Sequence, residues 1–309
     1  MNTSIYLSNQ NIQILTGSGS RSKVSVKNMV QAKAPEGSLI NGVITSEGEL
    51  AECLGRLWSQ YRLPRTNVGL VIDSTKFVTK ILTLPAVKGN KLQELVKREF
   101  SDLGDREKLL FDYMILKKDS RGKMLKILAA AAERDFIGSY VQLFEKLKIS
   151  ITNVNVALAA ELKILDIHPA LRGRTCILEL LDGDNLVNTL IVNGEYKYSS
   201  RSRLFQEHGT EGFALDIARN VSGILQFQAS ERSEYAITDV FLGGFSRENE
   251  MLCVESIRSL NANLQTALFP DTPAVTMPPA AHDSLEPGGQ ISGPALRDCI
   301  YAAGNLVVR

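Results

Sequence analysis

Two turns in this 309-residue chain have residue types that could hold a phosphate. The first lies in "IYLSNQNIQIL" (5–15), where Ser8, Asn9, Gln10 and Asn11 join two short apolar stretches. A turn between N-terminal strands cradles a phosphate when glycine lets backbone N–H groups approach and an adjacent acid holds Mg²⁺ or water. This turn offers Ser8 and Asn9 but neither glycine nor acid. The second is Asp182-Gly183-Asp184-Asn185, directly after "CILELL", and it has both. Asp-Gly between apolar runs is also a strong hairpin signal, and an ordinary hairpin turn is the simpler reading.

Other chemistry finds little footing. The four cysteines (Cys53, Cys176, Cys253, Cys299) are far apart and form no CxxC, so they read as buried thiols in a reducing compartment. His168, His208 and His282 are isolated, which gives no metal-ligand spacing. There is no nucleophile elbow, Walker-type loop or Rossmann fingerprint. Charge is balanced, 35 basic residues against 34 acidic, which argues against a nucleic-acid footprint. The segment "MNTSIYLSNQ" lacks the basic and apolar regions of a signal peptide. No apolar run approaches the ~20 residues of a membrane-spanning helix. The expectation is a cytoplasmic protein without direct membrane insertion.

Periodicity supplies the elements that must position the two turns. Three strands (5–7, 12–15 and 23–30) precede the Pro/Gly-containing loop "KAPEGSLINGVITSEGE" and a helix over 47–61. Leu50, Leu54, Leu57, Trp58 and Tyr61 share one face of that helix. "VGLVI" (68–72) reads as a buried strand. The same order returns after Arg174: strands in "CILELL", "NTLIV" and "EYKYSS", a helix over 210–228, then the strand "DVFLGG" ending at Gly243 and Gly244. This repetition implies an internal structural duplication. Between the halves, strand–helix–strand–strand–helix–strand over 77–154 reads as an inserted α+β module closed by "SITNVNV". The Pro/Gly-rich stretch 269–293 reads as a linker, and 294–309 as a short helix followed by a last strand.

Several segments, in order, resemble the PilM family of type IV pilus assembly proteins, within the actin-like ATPase superfamily that also includes FtsA. They are "GSLINGVITSEGELAECLGRLW", "TKILTLPAVKGNKLQELVKREFSDL", "FDYMIL", "ILAAAAERDFIGSYVQLFEKLKI", "VNVALAAEL", "VFLGGFSRENEMLCVESIRSL" and "YAAGNLVVR". The resemblance implies an α/β, actin-like (ribonuclease H-like) fold with two duplicated halves. The first half would cover 1–76, completed by 155–171 and the C-terminal helix. The module would cover 77–154, and the second half 172–268 with its helical fourth subdomain reduced.

In that family the first phosphate turn is an Asp-Ile-Gly-Ser/Thr, which corresponds here to Tyr6, Leu7, Ser8 and Asn9. The acid has become Tyr6 and the glycine Ser8. A second Asp-x-Gly would correspond to Glu179 or Asp182, with Gly183. The adenosine-side motif corresponds to Gly243-Gly244. Since "GTEGFALDIARNVSGILQF" runs almost directly into the GG strand, the adenine pocket would lack a wall. The resemblance therefore implies a remnant nucleotide site at Ser8, Asn9, Asp182, Gly183, Gly243 and Gly244, with no catalytic residue, no metal and no required cofactor.

The function implied is a non-catalytic cytoplasmic scaffold, held at the inner membrane through a partner. That partner would be a PilN-like bitopic membrane protein whose N-terminal peptide lies extended beside the module, with pilus motor or platform proteins as further partners. Phe77, Lys91, Glu94, Lys97 and Arg98 are the candidate contacts. Two alternatives stay open: an active ATPase that uses Mg-ATP, and a cytoplasmic component of a type II secretion-like assembly platform.

Overall fold

The computed structural model describes residues 1–279 and 294–308. Its elements follow the order read from the sequence. Asn2–Leu7 (β1), Asn11–Gly19 (β2) and Val24–Lys33 (β3) come first. A two-residue pair, Leu39–Ile40 (β4) and Val43–Ile44 (β5), precedes the helix Glu47–Gln60 (α1) and the strand Val68–Ile72 (β6). The module strand Val78–Pro85 (β7), the helix Asn90–Glu99 (α2) and the strands Leu109–Lys118 (β8) and Met124–Glu133 (β9) follow. Arg134–Lys146 (α3), Ile151–Val156 (β10) and Ala157–Ile167 (α4) lead to the second half. There Cys176–Asp182 (β11), Asn185–Val192 (β12), Glu195–Arg203 (β13), Glu211–Ser230 (α5), Asp239–Gly243 (β14), Arg247–Leu260 (α6) and Gln265–Leu268 (β15) repeat the pattern. Val275–Thr276 (β16) and Ile300–Leu306 (α7) complete the described chain.

The duplication is visible in strand order. One sheet runs β10-β6-β1-β2-β3-β16 and another runs β13-β12-β11-β14-β15. In the first, β1 pairs β6 and β6 pairs β10, both parallel. In the second, β11 pairs β14 and β14 pairs β15, again parallel. β6 and β14 are buried along their whole length, which explains why "VGLVI" and "DVFLG" read as continuous apolar runs rather than alternating ones. Thr210 and Ser246 start α5 and α6 by accepting hydrogen bonds from the backbone N–H of Phe213 and Asn249, at 3.2 Å each. Between β13 and β14 there is one helix, so the fourth subdomain is reduced.

The chain forms two compact units, 1–14 with 30–160 and 15–29 with 161–309. In the first, Ile5, Leu7, Leu54, Trp58, Leu70 and Phe144 belong to one core. Trp58 donates from Nε1 to the Pro64 carbonyl at 3.0 Å and meets the Phe144 ring edge-on. In the second unit Ile177, Leu190, Phe213, Val221, Val240 and Ile257 form the equivalent core. A separate small core, with Leu84, Leu92, Val96, Phe100 and Ile127, joins α2 to the three-stranded sheet β7-β9-β8.

Four expectations are corrected. The strand in "SITNVNV" does not close the module; β10 pairs with β6, and Phe136, Tyr140 and Phe144 of α3 pack into the first-unit core. Together β6, α3 and β10 make a βαβ crossover, and the module interrupts it. Tyr61 is 43% exposed rather than inward, because Arg62 takes a left-handed φ of 48° and turns the chain off the helix axis. The proposed linker begins as ordered structure: Phe269, Thr272 and Val275 are buried, and β16 pairs with β3. Its remainder, 280–293 with His282, lies outside the described residues, as does Arg309. No strand follows α7 among the described residues; Val308 instead donates from its backbone to the Ser20 carbonyl at 3.3 Å.

Candidate functional site

The candidate phosphate turns fall one on each unit. In the first, the Ser8 hydroxyl occupies the inside of the β1–β2 turn. It accepts from the backbone N–H of Asn11 at 3.0 Å and of Gln10 at 3.4 Å, and the Ser8 backbone N–H donates to the Asn11 carbonyl at 3.0 Å. The donors that would face an anion are turned on the turn's own side chain. The Asn9 Oδ1 accepts from the Gly42 backbone N–H at 3.3 Å. Tyr6, standing where the family has its acid, is buried in the strand.

Asn41-Gly42 is a feature that sequence reading left inside a loop. The two residues sit at φ 50° and 72° between β4 and β5, the left-handed pair of a tight hairpin. The Ser74 hydroxyl donates to the Asn41 carbonyl at 2.6 Å, the Asn41 Oδ1 accepts from the Thr75 backbone at 3.1 Å, and the Tyr140 hydroxyl donates to the Gly42 carbonyl at 2.5 Å. The Asn-Gly dipeptide was the available signal.

In the second unit, Asp182 pairs with Asn185 across a two-residue turn, with Gly183 at φ 57° in its first central position. That is the place where such hairpins favour glycine. Leu180 pairs with Gly243, so the turn strand and the glycine pair are neighbours. A Cβ on Gly244 would stand 2.1 Å from the Leu181 carbonyl oxygen, and its φ of 77° also requires glycine. The Gly244 backbone N–H donates to the Arg297 carbonyl at 2.9 Å. A Cβ on Gly243 would meet Leu180 Cδ2 at 2.7 Å and Ile300 Cδ1 at 3.2 Å. Both glycines therefore permit close packing of β14 against β11, the segment before α7 and the first residue of α7.

Glu179, the other acid considered for this turn, lies within β11 and is fully buried, which pushes its carboxyl well above the usual range. With its amide nitrogen turned inward, Asn188 donates to the Glu179 carboxyl at 3.1 Å and accepts from the Ser200 hydroxyl at 3.2 Å. Glu161 on α4 is also buried, and burial pushes its carboxyl up to about 7. The Thr189 hydroxyl opposes part of that push, but among the described residues neither Glu161 oxygen makes a hydrogen bond of normal geometry.

The five proposed partner contacts do not form one group. Phe77 packs edge-on against Phe136, with ring centroids 5.5 Å apart, and belongs beside the first-unit core. Lys91, Glu94, Lys97 and Arg98 lie on α2, which packs into the module core instead. Glu94 and Lys97 form an ion pair at 2.9 Å, and the hydrogen bond from Lys97 holds the Glu94 carboxyl below its usual range. Lys91 and Arg98 are exposed. His168 donates from Nε2 to the Pro270 carbonyl at 3.0 Å, and its burial lowers its basicity. The His208 ring packs against Phe213 at 4.6 Å between centroids. Among the described residues no group of His, Cys, Asp and Glu could hold a metal ion.

Residues 4–182 match the family described as type IV pilus assembly protein PilM. Of solved structures, a PilM-PilN type IV pilus biogenesis complex aligns with a TM-score of 0.73 at 13% identity, covering 100% of this chain and 99% of that one. The cytoplasmic domain of EpsL, an inner-membrane component of the Vibrio cholerae type II secretion system, aligns at 0.49 and 11% identity, covering 98% and 94%. A Bacteroides thetaiotaomicron protein with an actin-like ATPase fold aligns at 0.49 and 11% identity, covering 86% and 90%. No curated protein matches the sequence.

Proposed function

Because the chain belongs to the family of type IV pilus assembly protein PilM and has the actin-like fold, we propose that it works as a non-catalytic scaffold in pilus assembly. Its partner in this reading is a PilN-like membrane protein, held by the partner's cytoplasmic N-terminal peptide. The chain itself stays at the cytoplasmic face of the inner membrane through that partner. Among the described residues no helix is long and apolar enough to cross a membrane, in keeping with attachment through another protein.

The observation that carries the reading is the use of the phosphate-facing donors. Ser8 Oγ takes the N–H groups of Gln10 and Asn11, and the Arg297 carbonyl takes that of Gly244. A triphosphate needs such groups free to converge on it, and Mg²⁺ needs an acid where Tyr6 stands. The residues present therefore do not fit Mg-ATP, and no catalytic step is assigned. The partner peptide is assigned to the first unit, near the exposed charges of α2, where an extended segment would bind through backbone hydrogen bonds and alternating side chains.

Two measurements test this. A thermal-shift series with Mg-ATP should leave the melting temperature unchanged; a saturable rise, absent in Asp182→Asn, overturns the non-catalytic reading. Fluorescence anisotropy with a labelled N-terminal peptide of the PilN-like protein should give saturable binding without nucleotide. Binding that requires ATP would overturn it equally.

A further inference from the structure

The second unit holds a cavity of about 420 Å³ that neither phosphate turn nor the α2 face explains. It lies where the C-terminal end of α5 meets the β12–β13 hairpin. The register of that hairpin shifts between Leu190 and Ile191, so Lys197 becomes an extra residue in β13. Such a bulge bends a strand away from its neighbours. The floor is Leu190 and Val192, and Phe227 and Tyr235 form aromatic walls.

Hydrogen bonds and ring stacking within the unit hold those walls in place. The Gln228 side chain is buried, lines the cavity, and donates from Nε2 to the Tyr235 carbonyl at 2.5 Å. Asn193 Nδ2 donates to the Tyr235 hydroxyl at 3.3 Å. The Phe227 ring stacks on Tyr198, with centroids 4.8 Å apart and planes 27° from parallel. Even so, Phe227 and Tyr235 remain 38% and 48% exposed.

The charge around this space is one-sided. Glu195, Glu231 and Glu234 line it against a single cation, Lys197. Among the described residues Glu231 and Glu234 make no ion pair. Helix α5 points its C-terminal end here, Glu231 is its C-cap, and its last turn has no basic residue. The partial negative charge of the helix C-terminus adds to that of the carboxylates, and Arg232, the residue after the C-cap, is not among those lining the cavity. Aromatic faces beside carboxylates suit one class of group above others: a guanidinium, planar, weakly hydrated and able to stack on a ring while donating to carboxylate oxygens.

We infer that this cavity receives an arginine side chain of a partner polypeptide. The inference is independent of the proposed peptide contact, which lies on the first unit. Its volume leaves room for main chain beside the side chain, and the ordered walls reduce the entropy cost of binding.

The test is an amide-resolved NMR titration of the full chain with N-acetyl-arginine amide and with its neutral isostere, N-acetyl-citrulline amide. Arginine should shift amides in 193–197 and 227–235, and citrulline should bind about tenfold more weakly. Glu231→Gln/Glu234→Gln, on the exposed rim, should remove the preference while the rest of the spectrum is kept. A Lys97→Glu/Arg98→Glu variant should respond to arginine as the natural chain does, which separates this site from the α2 face. Equal affinity for the two probes, shifts that miss these segments, or a preference that survives in the Glu231/Glu234 variant would each overturn the assignment.

Discussion

The Tyr140 hydroxyl donates to the Gly42 carbonyl at 2.5 Å, joining a helix and a hairpin tip that are 98 residues apart in sequence. Burial pushes the Tyr140 phenol well above its usual range, so it remains a donor throughout the accessible pH range. Tyr140→Phe leaves the Gly42 carbonyl without this donor and should cost about 1–3 kcal/mol in urea unfolding. Gly42→Ala should cost more than about 1 kcal/mol, because its φ is 72° and a Cβ would stand 2.6 Å from that of Ser74. Unchanged midpoints in both variants would show that the hairpin is not anchored this way.

Glu161 sets a pH dependence. Its carboxyl is pushed from 4.5 to about 7 by burial, so the folded state binds more protons than the unfolded chain between those values. Stability from this group is fully present below about pH 4.5 and is lost as pH rises through 7. Glu179 acts in the same direction. Glu161→Gln should leave stability near pH 4 almost unchanged and raise it at pH 8, by on the order of 3 kcal/mol at most. Denaturant curves at several pH values check this; parallel curves for the two proteins would contradict it.

Gly243→Val tests whether the glycine pair serves packing. The added side chain meets Leu180 and Ile300, and overpacking of this kind costs about 1–3 kcal/mol. The loss should be the same with and without Mg-ATP. A loss seen only when nucleotide is present would return Gly243 to a binding role.

Lys97→Glu/Arg98→Glu should weaken binding of the partner peptide in fluorescence anisotropy. On α2 Arg98 is exposed and Lys97 half-buried, so stability should change by little more than about 0.5 kcal/mol beyond the lost Glu94–Lys97 pair. Unaltered affinity would remove this helix face from the peptide site.

Elements with strong periodicity were legible in the sequence. The inward face of α1 through Trp58, the buried run of β6 and the repeated order all appear in the structure. What periodicity does not encode is which sheet a strand joins. "SITNVNV" follows the module in sequence, yet its pairing is decided by the parallel edge that β6 offers. The α2 charges and Phe77 were named together as candidate contacts, and only the Phe77 contact with Phe136 separates them. The arginine cavity was not legible at all. It depends on a register shift and on a helix end meeting a hairpin, neither of which leaves a local pattern in residue type.

The interrupted crossover has a practical consequence. In the second half, three residues, Gly244, Phe245 and Ser246, carry the chain from β14 into α6. At the matching point of the first half, everything from Asp73 to Glu133 stands between β6 and α3. If a three-residue connector spans that gap in one copy, the two ends of the insertion must emerge close together in the other. The α2 module is then an exchangeable cartridge seated in a socket. Its own core, centred on Phe100 and Ile127, is separate, while Ala132 and Phe77 at the two ends of the same stretch pack on the first-unit core. A shortened chain carrying a Gly-Phe-Ser bridge in place of 73–133 should keep the β10-β6-β1 pairing at reduced stability, because the Phe77 and Ala132 contacts and the Ser74 and Thr75 hydrogen bonds to Asn41 leave with the module.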